Sequence, residues 1–242
     1  MKRACYGKGG KLVTPQEFIR RASPRYKERG IFPYCEACGQ KVELYGVHNP
    51  EGPSRFDHQN LPDGADPLDD CVLANRNSRF KGMQPTGFDV NHGKKLRDDF
   101  FQDEFFGKTY CFMWKMCGKG NFPFNKFKEI LNRADTKRIW EYSKIELWTI
   151  PYILLTLANF MYNNKYFFHF FIDKKKSSAI NEIWENENKT SICKVFSDSG
   201  KLFSFGNIPN PLSISRANFN TYSSDCNFIT EDFLISLRKF IN

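Results

Sequence analysis

The feature that most constrains the fold of this 242-residue chain is a C-x2-C-G motif at residues 35–39. A cysteine pair with this spacing, closed by glycine, allows a short hairpin to direct two thiolates at one point. His58 follows a strand-like run, and Cys71 lies thirteen residues further on. Cys35, Cys38, His58 and Cys71 therefore predict a Cys3His shell for a structural zinc ion.

The other cysteines and histidines fit this site less well. Residues 39–44 alternate as a strand does, which disfavours the thioredoxin-like alternative, because that fold needs a helix directly after the motif. His48 is a competing ligand, but the Asn-Pro step after it is typical of a loop. Cys111 and Cys117 have a spacing that suits neither a metal knuckle nor one helical face, so we expect free thiols there. The cysteines expected to be structural are Cys5, Cys193 and Cys226.

Composition favours a basic cytoplasmic protein. The formal charge of +9 favours an anionic partner, most simply nucleic acid, and a protein partner such as an antitoxin is the other interpretation. Eight cysteines without a secretory leader favour a reducing compartment. The apolar run 145–161 contains Glu146 and Pro151, which favours a buried helix over a membrane span, so no membrane partner is expected.

The order of the expected elements predicts an α+β fold in three parts. Residues 1–77 form a zinc-ribbon domain, residues 78–162 a helical region and residues 163–242 an α+β carboxy-terminal segment. In the first part we expect a hairpin over 2–13, a helix with Thr14 and Glu17 in a capping box, strands at 32–34, 41–47 and 54–58, and a short helix that is capped by Asp66 and carries Cys71. In the second we expect a loop over 78–90, a helix from Lys94 through Leu96, Phe100, Phe101 and Phe105, and helices at 124–131, 136–142 and 145–161. In the third we expect strands at 166–172, 192–196 and 201–205 and a helix at 231–241 capped by Thr230.

The aromatic clusters allow two interpretations. Beside lysines and arginines, such rings can stack on nucleic-acid bases. At helical or strand spacing they more often form the core, which is the interpretation we favour. The clusters are Phe100, Phe101, Phe105 and Phe106, and Phe167, Phe168, Phe170 and Phe171.

The first 75 residues resemble a known family. The motifs that carry the resemblance are Arg3-x-Cys5, residues 10–14, Tyr34-Cys35-x-x-Cys38-Gly39, Arg55-Phe56-Asp57-His58 and Asp70-Cys71. They resemble zinc-ribbon proteins of enterobacteria, which in turn are similar to the amino-terminal zinc ribbon of CoiA-like competence proteins. The resemblance implies a structural zinc site and a setting related to DNA or mobile elements. In CoiA-like proteins a nuclease domain follows the ribbon. The acidic residues after residue 100 of this chain do not match the active-site pattern of such a domain.

An HNH-type nuclease is the alternative. Asp57-His58, a later asparagine and a Lys-Gly pair follow the order found in that fold. In this interpretation His58 activates water, while Asp57 and Asn77 hold Mg²⁺ or Mn²⁺. The difficulty is that His58 cannot be both a zinc ligand in a closed shell and the general base, and only Cys71 remains for a second cysteine pair.

The sequence therefore predicts a zinc-binding bacterial protein of a mobile-element or antiviral-defence setting, which binds DNA, another nucleic acid or a protein partner. A growth-inhibiting toxin is a hypothesis within that setting. If the chain is an enzyme, the expected activity is that of a nuclease.

Overall fold

A computed structural model describes residues 1–47, 49, 53–74, 80, 83–118, 121–174, 182–185, 187, 189–204 and 208–241. It belongs to the α+β class, with helices and separate antiparallel sheets, as predicted. The chain divides into two compact units, Met1–Ser78 and Arg79–Asn242. Among the described residues, no helix has both the length and the apolar character needed to cross a membrane.

The described residues of the first unit form two small antiparallel sheets and one α-helix. One sheet has the order β2-β1-β3 and the other pairs β4 with β5. The elements are β1 (Ala4–Tyr6), β2 (Leu12–Val13), α1 (Pro15–Ala22), β3 (Pro33–Tyr34), β4 (Val42–Tyr45), β5 (Arg55–His58) and a 3₁₀ turn (Pro67–Asp69).

Local sequence signals explain the start of this unit. The side chain of Thr14 accepts a hydrogen bond from the Glu17 N–H, and the Glu17 carboxylate accepts one from the Thr14 N–H, which confirms the predicted capping box. Helix α1 buries Phe18 completely. The Phe18 ring packs against the rings of Tyr26 and Phe56 at centroid distances of 5.3 and 6.1 Å, so the helix and β5 share one small core.

The second unit combines helices with a four-stranded antiparallel sheet of order β6-β7-β8-β9. Its elements are α2 (Val90–Phe100), α3 (Asp103–Cys117), α4 (Phe124–Thr136), 3₁₀ turns (Ile139–Glu141 and Leu147–Thr149), α5 (Ile150–Leu155), β6 (Asn159–Tyr162), β7 (Tyr166–Lys174), α6 (Glu182–Glu185), β8 (Thr190–Phe196), β9 (Leu212–Ser213), α7 (Arg216–Ser223) and α8 (Glu231–Ile241). Helix α3 packs on α7, and α4 packs on α8.

The aromatic side chains of β7 alternate between the two faces of the sheet. Phe168 and Phe170 are fully buried, whereas Phe167 is 60% exposed, because successive side chains point to opposite faces of the sheet. The core interpretation is therefore correct for Phe168 and Phe170 and wrong for Phe167. In the helical cluster, Phe100 and Phe106 are fully buried, which confirms the core interpretation for these two, whereas Phe101 and Phe105 are half-buried.

Several predicted elements differ from the structure. The helix predicted from Lys94 is interrupted at residues 101–102, where Gln102 leaves helical geometry and α3 begins. The helix predicted over 136–142 is only a 3₁₀ turn, since Arg138 adopts a left-handed conformation. The run 145–161 is helical only in part, and its last residues form β6. The almost continuous apolar sequence hides this change, although β6 itself alternates, with Phe160 buried and Asn159 and Met161 exposed.

Other predictions hold or shift slightly. Helix α8 and its Thr230 cap are confirmed, with the Phe233 N–H donating to Thr230 Oγ1 at 3.2 Å. Of the strand predicted over 201–205, Leu202 forms only an isolated bridge with Val195, and residue 205 lies outside the described residues. The boundary suggested at 162/163 lies between β6 and β7, which pair as a hairpin.

Cys111 and Cys226 form a disulfide, with Cα atoms 6.0 Å apart. The prediction of a free thiol at Cys111 is therefore wrong. The bond joins α3 to the segment between α7 and α8, across 115 residues of sequence. Sequence spacing could not reveal it, because the pairing depends on how α3 packs against α7. Cys117 is a buried free thiol, as predicted.

Candidate metal centre

The C-x2-C turn begins directly after β3. The Cys35 N–H donates to the Gln40 carbonyl at 2.8 Å, and the Gly39 N–H donates to the Cys35 carbonyl at 2.9 Å. Gly39 has a φ of +67°, a left-handed conformation that glycine adopts without a steric penalty. This tight turn places the Cys35 and Cys38 side chains on the same side of the chain.

Cys35 and Cys71 are held by matching backbone contacts. The Ala37 N–H donates to Cys35 Sγ at 3.3 Å, and the Leu73 N–H donates to Cys71 Sγ at 3.4 Å. In both cases the donor lies two residues after the cysteine. Such N–H donors stabilise a thiolate, so the backbone at both positions favours the form of cysteine that binds a metal.

Cys71 reaches the cluster through a short polar segment. Asp66 caps the 3₁₀ turn by accepting from the Leu68 N–H at 2.8 Å, and Asp70 accepts from the Cys71 N–H at 2.8 Å. Cys71 thus follows the turn and does not lie on a helix, which corrects the prediction for this residue. The Asp66 cap itself is confirmed.

His58 is the last residue of β5 and lies opposite Val42 in the ladder with β4. The strand pairing therefore brings the His58 ring next to the C-x2-C turn, which immediately precedes β4. His58 Nε2 lies 3.4 Å from Cys38 Sγ. Of the two imidazole nitrogens, Nε2 is thus the one that can join the sulfur cluster.

The four ligand atoms have the spacing of a tetrahedral zinc shell. All of them lie within 4.8 Å of one another. Zn–S and Zn–N bonds of about 2.3 and 2.0 Å place two tetrahedral sulfurs about 3.8 Å apart and a sulfur and a nitrogen about 3.5 Å apart. The Cys35 Sγ–Cys71 Sγ distance is 3.7 Å and the Cys38 Sγ–His58 Nε2 distance is 3.4 Å. The residues present therefore fit a zinc ion.

The electrostatics of the cluster also favour a cation. Hydrogen bonds from Cys35 and Cys71 hold the pKa of Cys38 far below its usual range. Donation to Cys38 raises the pKa of Cys35 to about 12, and donation to Cys35 and Cys38 together with burial raises the pKa of Cys71 strongly. Cys38 therefore ionises readily, and its negative charge opposes the ionisation of Cys35 and Cys71. A bound divalent cation removes this opposition, because its positive charge stabilises all three thiolates without a shared proton.

The cluster is the one group of three or more potential ligand residues that the structure brings together in the described part of the chain. His48 and Asn77 lie outside the described residues, so neither the competing ligand nor the asparagine of the nuclease alternative can be placed. Cys5, Cys117 and Cys193 lie outside the cluster.

Asp57 and His58 do not converge on one point. They are consecutive residues of β5, so their side chains point to opposite faces of the strand. Asp57 forms an ion pair with Arg55 at 2.6 Å, whereas His58 Nε2 faces Cys38. The general base and the metal-holding carboxylate of the nuclease alternative, which have to act on one water molecule, are therefore divided between two faces.

The backbone donors at Ala37 and Leu73 were not predicted from the sequence. Each donor lies two residues after its cysteine, and this spacing is the signal that could have identified them.

A division of charge within the first unit was also missed. Residues 1–30 contain nine Lys and Arg and two Glu, whereas residues 31–74 contain two Lys and Arg and eight Asp and Glu. The division becomes visible when charges are counted segment by segment along the sequence instead of over the whole chain.

Comparison of the chain with family models, with curated proteins and with solved structures finds no match. The resemblance to the zinc-ribbon families thus remains a prediction from the motifs alone. Function therefore has to be inferred from the geometry of the site and from the surface around it.

Proposed function

We propose that Cys35, Cys38, His58 and Cys71 bind one structural zinc ion and that the first unit is a nucleic-acid-binding module. The observation that carries the zinc assignment is the convergence of three sulfurs and one imidazole nitrogen within 4.8 Å. Thiolate and imidazole are the ligands that structural zinc prefers.

A structural role follows from the number of ligands. A catalytic zinc keeps a coordination position open for water or substrate, whereas four protein ligands close the shell. Cys35 and Cys71 are buried, which removes two of the four ligands from solvent. The proposed ion therefore joins the C-x2-C turn, β5 and the segment after the 3₁₀ turn, and its binding contributes to the folding free energy of the unit.

Nucleic acid is the partner that the charge of the first unit favours. The basic residues of positions 1–30 are exposed, and they are concentrated at the end of α1 and in the turn that follows it. Such a concentration of positive charge attracts a phosphate backbone, whereas the excess of acidic residues at positions 31–74 repels it. The exposed basic residues are Lys2, Arg3, Lys8, Lys11, Arg20, Arg21, Arg25, Lys27 and Arg29.

The biological setting rests on the resemblance alone. A mobile-element or defence role, and a toxin activity within it, are the expectations that the zinc-ribbon motifs carry. A protein partner in place of nucleic acid is the competing proposal, and a measurement of oligonucleotide binding separates the two.

Fluorescence anisotropy with a labelled oligonucleotide tests the proposal on the full chain. Replacing Arg20, Arg21 and Arg25 by glutamine should weaken binding at least about tenfold. It should also reduce the slope of log K against log salt by about one for each phosphate that the variant no longer neutralises. The matched control replaces Lys94, Lys95 and Lys165 of the second unit by glutamine, which changes the net charge equally. Equally weakened binding in the two variants, or no binding by the unmodified chain, would refute a nucleic-acid role for the first unit.

A further inference from the structure

A disulfide in the second unit holds a short exposed segment against a helix. The α7–α8 linker (residues 224–230) contains Cys226, and the partner cysteine, Cys111, lies in the middle of α3. Five of the seven linker residues are exposed. Phe228 is 37% exposed although its ring packs on Trp114, with the centroids 4.7 Å apart. A segment with so much exposed surface has a low local stability, so the covalent bond contributes strongly to holding it on α3.

The backbone beside the disulfide also favours release of the linker. Asp225 has a φ of +56°, a left-handed conformation that residues other than glycine adopt with a steric penalty. Asp225 directly precedes Cys226, so the bond holds the chain in this conformation at the point of attachment. A linker that is no longer bonded to α3 can leave it.

The two sulfurs differ in their access to solvent. Cys111 is buried, whereas Cys226 is half-buried. An open cavity of about 340 Å³ is bordered by both cysteines, which is large enough for a small thiol reagent. The carboxylates at this cavity are held in ion pairs, so they repel an approaching thiolate less than free carboxylates would. The pairs are Asp103–Arg238 and Glu104–Lys108, each at 2.6 Å.

Charge favours Cys111 as the leaving sulfur. Cys111 Sγ lies 3.6 Å from the Ser224 carbonyl oxygen, and Lys115 Nζ donates a hydrogen bond to the same oxygen. The Lys115 ammonium therefore lies close to Cys111 Sγ and stabilises the negative charge that develops there when the bond breaks. Access and charge thus both favour attack at Cys226.

The zinc site proposed above requires conditions under which this disulfide can be exchanged. Cys35, Cys38 and Cys71 are free thiols, and zinc binds their thiolates only while they are reduced. Where thiols persist, a disulfide is usually transient and senses the redox state. This step of the argument rests on the proposed zinc site, whereas the geometry at Cys226 does not depend on it.

We propose that the Cys111–Cys226 disulfide is a redox switch, which a dithiol reductant opens by attack at Cys226, and that its opening releases the α7–α8 linker from α3. One thiolate of the dithiol bonds to Cys226 Sγ as the disulfide breaks, and the electron pair leaves on Cys111 Sγ. The second thiolate of the dithiol then displaces Cys226 from the mixed disulfide. The chain gains two electrons and two protons, which the two thiols of the reductant supply as the dithiol becomes a disulfide.

Release of the linker uncovers one face of α3. Gly107, Cys111 and Trp114 follow one another at intervals of four and three residues, so they lie on the same face of the helix. A Cβ at Gly107 would lie 3.1 Å from Ile229 Cγ2, which shows that the linker packs closely on this face.

Helix α8 has contacts of its own that keep it in place when the linker leaves. Leu237 is fully buried. The Phe233 ring packs against the rings of Tyr110 and Phe124, with centroid distances of 5.3 and 5.2 Å. Reduction should therefore open the linker without unfolding the unit.

Hydrogen exchange measured by mass spectrometry tests the release in the full chain. The chain purified without reductant is compared with the same sample in dithiothreitol and with Cys226→Ser. The Ile229 N–H donates to the Cys226 carbonyl at 2.9 Å, and exchange of the linker amides should become at least about tenfold faster in both reduced forms. Peptides from α4 should stay protected. Cys5→Ser, which changes a free thiol outside the disulfide, is the matched control and should leave linker exchange within about twofold.

Trapping of the mixed disulfide tests the direction of attack. The chain is treated briefly with a monothiol, its free thiols are alkylated and its peptides are mapped by mass. The thiol adduct should lie on Cys226 and the alkyl group on Cys111. Adducts found mainly on Cys111 would overturn the assigned direction.

The remaining outcomes decide the switch itself. Linker exchange that is the same with and without the bond would refute it, and so would loss of protection in α4 as complete as in the linker. A chain that forms no disulfide without reductant, or whose disulfide resists dithiothreitol while folded, contradicts it as well. If Cys226→Ser does not fold, the unmodified chain in dithiothreitol provides the test. Zinc content is measured separately, so a chain without zinc refutes the metal site and leaves the switch standing.

Discussion

Cys35 Sγ and Cys71 Sγ lie 3.7 Å apart, although 36 residues separate the two cysteines in the chain. Each of these sulfurs accepts a hydrogen bond from a backbone N–H, and both lie where the side chains of Cys38 and His58 also converge. A cation at this point stabilises thiolates that would otherwise oppose one another, so ion binding and folding of the first unit should be coupled.

Replacing His58 by cysteine should preserve the metal site. A shell of four cysteines binds zinc as a Cys3His shell does, so metal content and fold should be retained, whereas His58→Ala should lose affinity for the ion. Asp57→Asn is the matched control, because Asp57 faces the other side of β5 and pairs with Arg55. Metal content is measured by elemental analysis. DNA or RNA cleavage in Mg²⁺ or Mn²⁺ that disappears in both His58→Cys and Asp57→Asn would instead favour the HNH alternative.

Removing the Cys111–Cys226 disulfide should destabilise the second unit. A cross-link over 115 residues restricts the unfolded chain strongly, and losing it should lower the free energy of unfolding by about 2–5 kcal/mol. Chemical denaturation of Cys226→Ser measures the change. The unmodified chain with a thiol reductant should show the same loss, and an unchanged midpoint in both samples would contradict a bond in the folded protein.

Replacing Lys194 by methionine should stabilise the protein at neutral pH. The Lys194 ammonium lies within 5.5–5.8 Å of the ring centres of Phe168, Phe170 and Phe203, and burial lowers its pKa. The lowered pKa means that burial makes the charged form less stable in the folded chain than in water, so removing the charge should raise the free energy of unfolding.

The same lysine should make stability depend on alkaline pH. Between its folded pKa and the ordinary lysine value, the unfolded state binds more protons than the folded state, so stability rises as pH rises through that range. The difference between the unmodified chain and Lys194→Met should therefore shrink as pH increases. Lys201→Met, at an exposed position, is the control and should show no such trend. A difference that is constant with pH would contradict a buried, desolvated ammonium.

Gly93→Ala should destabilise α2 although alanine is the better helix former. A Cβ at residue 93 would lie 2.7 Å from Glu141 Cγ and 2.9 Å from Glu141 Cα. The gain in helix propensity is about 1 kcal/mol, whereas overpacking against backbone costs about 1–3 kcal/mol, so a net loss of up to about 2 kcal/mol is expected. Thermal unfolding of the variant checks this, and a higher midpoint than that of the unmodified chain would show that α2 and the Glu141 turn are not in close contact.

Local signals in the sequence predict much of the first unit. The Thr14 capping box, the Asp66 cap and the strands before and after the C-x2-C turn depend on neighbouring residues, and the structure retains them. The four clustered potential ligands are predictable for the same reason, although the helix predicted to carry Cys71 does not form. The disulfide of Cys111 was not predictable, because its partner is set by packing between distant helices.

The limits of prediction are clearest in the second unit. Residues 145–161 are apolar almost throughout, and periodicity gave no sign that the chain changes from α5 to β6 within them. In β7, the run from Phe167 to Phe171 is aromatic on both faces, so the sequence does not show which rings are buried. Tertiary packing determines the structure of such segments, and the preferences of individual residues carry no information about that packing.

Zinc content is the most direct test of the central claim. The full chain, purified under reducing conditions without added metal, should contain one zinc ion per molecule by elemental analysis. A Cys35→Ser, Cys71→Ser double variant should contain none, while Cys5→Ser, which changes a cysteine of the same unit outside the cluster, should retain the ion. An unmodified chain without zinc, or a double variant that keeps it, would contradict a zinc site at these four residues.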